Sequence, residues 1–212
     1  AVLEIIDHAR RKEARSGTFL RQLHEKAAAL PAAVTIEGFQ PANCLFQFAI
    51  EYIEMAPRLI ECVGACAREA GTAQLFDPFV KAATGYFTQP SALLIRYVGL
   101  DGLLIRAYLC HRLMEEMHEN NHSIRTGGLV DIEATRANLL VHELIGEPFA
   151  NELDDSITVT VLQIAGTPDY YELNLDPFVE QVNNDAWNWM REYWEHLLTR
   201  NHIRFSLGSG LP

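Results

Sequence analysis

Residues 91 to 122 read SALLIRYVGLDGLLIRAYLCHRLMEEMHENNH, and the fold turns on how this stretch is read. Its first half is apolar nearly all round: Leu93, Leu94, Ile95, Val98, Leu100, Leu103, Leu104 and Ile105. A helix that is apolar on every side must be surrounded by other helices, since a face left in water forfeits its burial. One central helix from Ser91 to about Asn121 is therefore expected, with an irregularity at Gly99 or Gly102. Its second half carries a polar stripe. At about 100° per residue, His111, Glu115, His118 and His122 fall within about 60° of one another. The stripe runs between an apolar side (Leu103, Cys110, Leu113, Met114, Met117) and a charged side (Arg112, Glu116, Glu119). Groups at such an edge are partly desolvated yet reachable.

Helical patterns punctuated by glycine and proline flank this stretch. Helices are expected over 2–15 and 19–30, the second capped by Thr18 and stopped by Pro31. A connector over 31–41 contains Val34-Thr35-Ile36. A long helix over 43–70 follows, kinked or split at Pro57, with its acids turned to water and Glu54 four residues before Arg58. Asp77-Pro78 reads as a cap and first position of a helix to about Phe87. Asp131 caps a helix to about Leu153, bent or broken at Gly146-Glu147-Pro148. From Ile157 to Ile164 the β-branched alternation favours a strand without a clear partner, so an extended segment and a helix forced by packing both stay open. Asp176-Pro177 opens a last helix to about Arg200, and the tail from Phe205 is extended. The sum is an all-α, single helical domain over residues 1–212, a bundle of about seven helices.

The 212 residues carry 17 Lys and Arg against 28 Asp and Glu, a formal charge of −11. That balance argues against a nucleic-acid groove, which needs clustered cations. The basic run Arg10-Arg11-Lys12 with Arg15 reads as a solvated face. No window reaches the roughly 18 apolar residues of a membrane span, and the first residues lack the basic start of a signal peptide. Four scattered cysteines (Cys44, Cys62, Cys66, Cys110) read as reduced thiols in a cytoplasm. Dinucleotide, P-loop, zincin and nucleophile-elbow motifs are absent; His142-Glu143 begins a zincin motif but Gly146 stands where its second histidine belongs.

The chemistry is expected on the central stripe. Glu115-x-x-His118 is the spacing by which one helix gives a carboxylate and an imidazole to a bundle-centre metal, and His111 adds a third group one turn earlier. His142, sharing a face with Asn138, and Glu192 with His196, on a stripe with Asp185 and Trp189, are the candidates to complete or support such a site. The structural alternative makes the histidines satisfied hydrogen-bonders at the core edge, the three tryptophans packing, and Glu192–His196 a surface pair. Asn184, Asn188 and Glu192 have the spacing of a magnesium triad but lack its acidic partner motif.

In these residues the chain resembles the helical carboxylate–histidine iron proteins. Glu115 and His118 match one ExxH of the ferritin-like hydroxylases. His111, Glu115 and His118 match the His-x-x-x-acid-x-x-His helix of the heme-oxygenase-like iron oxidases. The resemblance covers one helix. It implies a heme-oxygenase-like or ferritin-like architecture, an iron cofactor, and a non-heme iron-dependent oxidoreductase acting on a small organic substrate with O₂. Imidazoles and carboxylates in this mix suit Fe(II). Tyr97 and Tyr108 would line its pocket or pack in the core. The competing expectation is a metal-free helical protein that binds an apolar ligand or a partner subunit, drawing on Met114, Met117 and the aromatic last helix; a cofactor-free enzyme on a heme-oxygenase-like scaffold is a third. The partners expected are a small molecule and at most a second copy of the chain, with neither nucleic acid nor membrane.

Overall fold

A computed structural model describes residues 2–89, 91–165, 173–182 and 185–206, with backbone only at 185 and 186. Ten helices and one two-stranded ladder lie among them: α1 (Val2–Ser16), α2 (Thr18–Ala27), β1 (Val34–Ile36), α3 (Pro41–Glu69), α4 (Ala73–Thr88), α5 (Leu100–Glu119), α6 (His122–Thr126), α7 (Ile132–Ile145), α8 (Phe149–Ala165), α9 (Asp176–Val182), α10 (Asp185–Arg200) and β2 (Ile203–Phe205). The fold is all-α, as expected, with ten helices rather than about seven. The segment 166–172, Asn184, the Asp185 side chain and the tail beyond Ser206 lie outside the described residues. Among those described, no helix is long and apolar enough to cross a membrane.

α3 and α5 form the centre. α3 packs on α1, α2, α4, α5, α9 and α10, and α5 packs on α1, α3, α4, α6, α7 and α8. Every helix contributes buried side chains to one apolar cluster. The largest include Tyr52 and Phe48 on α3, Phe76 and Phe79 on α4, Tyr108 on α5, Phe178 on α9 and Trp187 on α10. α3 runs through Pro57 as a single 29-residue helix. Proline has no N–H, so the Ile53 carbonyl loses its helical donor there. α5 supplies polar groups beside this point: His111 Nε2 lies 3.1 Å from the Tyr52 carbonyl, and the Cys110 thiol 3.9 Å from the Ala56 carbonyl.

The central helix begins nine residues later than the apolar run suggests. Residues 91–99 are turns, and α5 starts at Leu100. Gly99 has φ +122°, which a side chain would strain, and at Gly102 a Cβ would stand 2.2 Å from the Tyr97 carbonyl oxygen. Leu94 is buried, whereas Leu93, Ile95 and Val98 face outward. α5 also ends early, so His122 belongs to α6, whose start Asn121 caps by accepting the Ile124 amide at 3.1 Å. The stripe therefore ends at His118.

Three other boundaries move for physical reasons. α2 is capped by the preceding helix, not by Thr18: the Glu13 carboxylate, buried, accepts the Phe19 and Leu20 amides at 3.0 and 3.1 Å. α4 starts before Asp77-Pro78 and carries Pro78 in its second turn, forgoing one backbone bond. Gly146 (φ +87°) and Pro148 do break the 131–153 pattern, but α8 then runs through Asp154-Asp155 to Ala165. Its β-branched stretch is helical because Leu153, Ile157 and Val161, four apart, are the buried set, leaving Val159 and Leu162 exposed. The last helical pattern is divided into α9 and α10.

The C-terminal end of the described chain returns to the segment that follows α2. β1 and β2 pair antiparallel in the register Val34↔Phe205, Thr35↔Arg204, Ile36↔Ile203. The pairing is extended by Glu37 N–H to the His202 carbonyl (2.8 Å) and Ser206 N–H to the Ala33 carbonyl (2.8 Å). Next to it Glu51 of α3 takes the Arg200 guanidinium at 2.6 and 3.0 Å and the Tyr193 hydroxyl at 3.0 Å.

Candidate functional site

α5 brings a polar line into the centre of the bundle. Tyr108 and Arg112, like His111 and Glu115, stand four residues apart, and the two pairs are offset by three, so the four groups share a broad side of the helix. That side faces α3, α7 and α8. The Tyr52 hydroxyl (α3) donates to Asn138 Oδ1 (α7) at 2.7 Å, and Asn138 Nδ2 donates to Glu115 Oε2 at 2.8 Å. The same carboxylate oxygen accepts Arg112 Nη1 at 2.5 Å. Arg112 Nε continues to Asp154 Oδ1 (α8) at 3.2 Å, which also accepts the Tyr108 hydroxyl at 2.7 Å. His142 Nε2 (α7) lies 3.1 Å from Asn151 Oδ1 and 3.6 Å from Asp154 Oδ2. Four helices are thus joined by one chain of hydrogen bonds, charge-assisted at Glu115, Arg112 and Asp154.

Burial sets the protonation of this line. His111 is 4% exposed and its ring centre lies 4.3 Å from that of Tyr52. Desolvation pushes it down to about 4, against the Tyr52 carbonyl and the Glu115 charge, which favour the cation. The imidazole is therefore neutral near pH 7 and donates its Nε2 proton to the Tyr52 carbonyl. Burial pushes the Tyr52 hydroxyl up, with Tyr108 and Glu115 adding to it. Tyr108 is also raised, by burial first and then by its bond to Asp154. Neither phenol becomes a base near neutral pH. Burial lowers His118 as well, and its Nε2 is a buried atom without a hydrogen-bond partner.

The six expected ligand residues are not brought together. His111 and Glu115 are in the buried line, and His142 is at its α7–α8 end. His118 lies a turn beyond Glu115. Glu192 and His196 are exposed on α10, which packs against α7, α3, α9 and the β-ladder. Among the described residues no three of His, Cys, Asp and Glu stand together as a metal-holding group. The donor chemistry points the same way. The Glu115 oxygen nearest its neighbours already serves a guanidinium and an amide, and His111 Nε2 serves a carbonyl. These residues do not fit the iron centre that the one-helix resemblance implies.

Beside the polar line, a cleft of about 520 Å³ opens between α2, the start of α5, the end of α7 and the start of α8. Its walls include Phe19, Leu23, Leu104, Ile105, Leu144 and Phe149, and Tyr97 stacks on Phe149 at 5.1 Å between ring centres. Glu25, Lys26, Asp101 and Glu147 stand around them. Three carboxylates to one ammonium make this rim acidic. The cleft exists because Gly99 starts α5 late, which frees Tyr97, and because the chain turns at Gly146 between α7 and α8.

No family model, curated protein or solved structure matches this chain.

Sequence reasoning singled out His111, Glu115 and His142, but it put Arg112 on the charged side of the helix and Tyr108 at a pocket or in the core. Asn138 was legible as sharing a face with His142. Tyr52 and Asp154 carried no signal: the first sits within an apolar stripe, and the second reads as a helix end.

Proposed function

We propose that this protein is a metal-free helical binding protein for a small molecule with an apolar body, held in the α2–α5–α7–α8 cleft. The observation that carries this reading is the cleft itself. Its volume falls within the roughly 300–1,000 Å³ of small-molecule sites, and a few polar groups stand around its apolar floor, as in such sites. The acidic rim favours neutral or cationic ligands over fatty acids and other anions, which would approach three carboxylates. The buried Tyr52–Asn138–Glu115–Arg112 line serves here as scaffold, fixing α3, α5, α7 and α8 so that the cleft keeps its shape.

The test is saturable binding of N-phenyl-1-naphthylamine, a neutral apolar fluorophore. Ala29 lines the cleft and is exposed, so Ala29→Trp fills the space without disturbing the core. The parent should bind the dye at one site, and Ala29→Trp at least about tenfold more weakly with an unchanged melting temperature, a loss of about 1.4 kcal/mol. Equal binding by the two proteins, or none by the parent, refutes the reading. Metal analysis of protein expressed with added iron separates it from the oxidoreductase. Stoichiometric iron that disappears in His111→Ala and His118→Ala would establish the metal centre in its place.

A further inference from the structure

The chain as a whole is strongly acidic, yet the second half of α1 carries a cationic stripe of Arg11, Lys12 and Arg15, with His8 beside it and the exposed acids Glu4 and Asp7 confined to the first turns. His8, Arg11, Lys12 and Arg15 are all exposed and line a surface depression of about 580 Å³. The acid within this run does not neutralise it: Glu13 is turned inward, its carboxylate engaged by the first amides of α2. Arg10 lies to the side and pairs with Glu54. Lys12 joins this stripe to the 91–99 loop: it shares two further depressions with Val98 and Gly99, one lined also by Glu13 and Asp101 and the other by His8 and Arg106. That loop projects Leu93, Ile95 and Val98 at 43, 66 and 67% exposure, with the exposed Arg96 among them. Leu94 anchors it from below at 2%.

We propose that the α1 stripe and the 91–99 loop dock the protein on an anionic lipid bilayer. The aliphatic side chains enter the boundary between headgroups and acyl chains, and Arg11, Lys12, Arg15 and Arg96 meet the lipid phosphates. Cations beside projecting aliphatics are the composition of an interfacial binding surface. Nucleic acid would use the cations and leave the aliphatics in water. Three side chains offer too little apolar area for a stable protein interface of about 1,200 Å² or more. The net charge of −11 does not forbid the contact, because charges beyond about 8 Å are largely screened at physiological ionic strength while the stripe lies against the membrane. This surface adjoins the cleft, since Tyr97 of the same loop lines it, but Leu93, Ile95, Val98 and the cations lie outside the cleft walls.

Co-sedimentation of the full chain with vesicles tests the proposal, comparing phosphatidylcholine alone with phosphatidylcholine containing about one-third phosphatidylglycerol. The parent should bind the anionic vesicles and leave the neutral ones. A cation at the surface contributes about 1 kcal/mol, or roughly fivefold, so Arg11→Gln with Lys12→Gln and Arg15→Gln should lower partitioning by about 100-fold. Leu93→Ser with Ile95→Ser and Val98→Ser should lower it at least about tenfold; these side chains are exposed, so the melting temperature should hold. Equal binding to both vesicles, or binding unaltered in the two triple variants, overturns the proposal. So does a salt-sensitive affinity for an oligonucleotide that survives the serine variant, which assigns the stripe to nucleic acid. A concentration-dependent dimer abolished by the serine variant assigns the loop to a second copy and likewise overturns it.

Discussion

His111 shows how one side chain can be chemically suggestive and structurally committed. Its imidazole is enclosed against the Tyr52 ring and spends its proton on the Tyr52 carbonyl. Because burial holds it down to about 4, the unfolded chain, near its ordinary value of about 6.5, binds this proton first. The stability that neutral His111 lends is fully present above pH 6.5. It falls as the pH drops toward 4, by on the order of 3 kcal/mol over that window. His118, lowered by burial too, acts in the same direction. Urea unfolding at pH 7.5 and pH 5 should show the loss in the parent. His111→Gln keeps a donor for the Tyr52 carbonyl and should flatten the difference; an equal pH dependence in the variant refutes the assignment. The sequence placed His111 and Glu115 at the reachable edge of an apolar face, whereas both are enclosed in the bundle at 4% exposure. It did not show what they bond, because Tyr52 and Asn138 lie 59 and 23 residues from the groups they meet and nothing in their own neighbourhood marks them.

At the scale of the element, periodicity carried most of the information. α1, α3, α7 and the buried part of α5 lie close to where the apolar spacing and the caps put them. The failures share one cause: a local preference yielded to the backbone or to packing. The run Leu93 to Val98 looks like core, yet it is held outside the helix by the φ of Gly99 and by the contact of Gly102 with Tyr97. Ile157 to Ile164 looks like a strand, yet a face with four-residue spacing buries more of it. Gly102→Ala tests the first case. Its methyl group would overlap the Tyr97 carbonyl, so the loop or the first turn of α5 must shift, at a cost of about 1–3 kcal/mol. The urea midpoint should fall accordingly, and proteolysis should accelerate between residues 91 and 99. A variant as stable as the parent would mean that the loop is not held by this contact.

For the molecule as a whole, the sequence correctly gave an all-helical fold and missed how it is closed. The short β-branched stretch at 34–36 could be read only as part of a connector, because its partner, 203–205, is at the far C-terminal end of the described chain. Ser206 and Ala33 are 173 residues apart, yet they hydrogen bond. That separation makes the ladder a clock for folding. Most of the bundle is built from helices near one another in sequence, whose contacts close short loops, whereas the ladder rewards the chain only after its longest loop has been drawn together. In refolding followed by pulsed hydrogen exchange, the Glu37 and Ser206 amides, both bonded across the junction, should gain protection after the amides of α3 and α5; simultaneous protection would refute this order. Protection at those two amides then reports that the helices between them have already found their places.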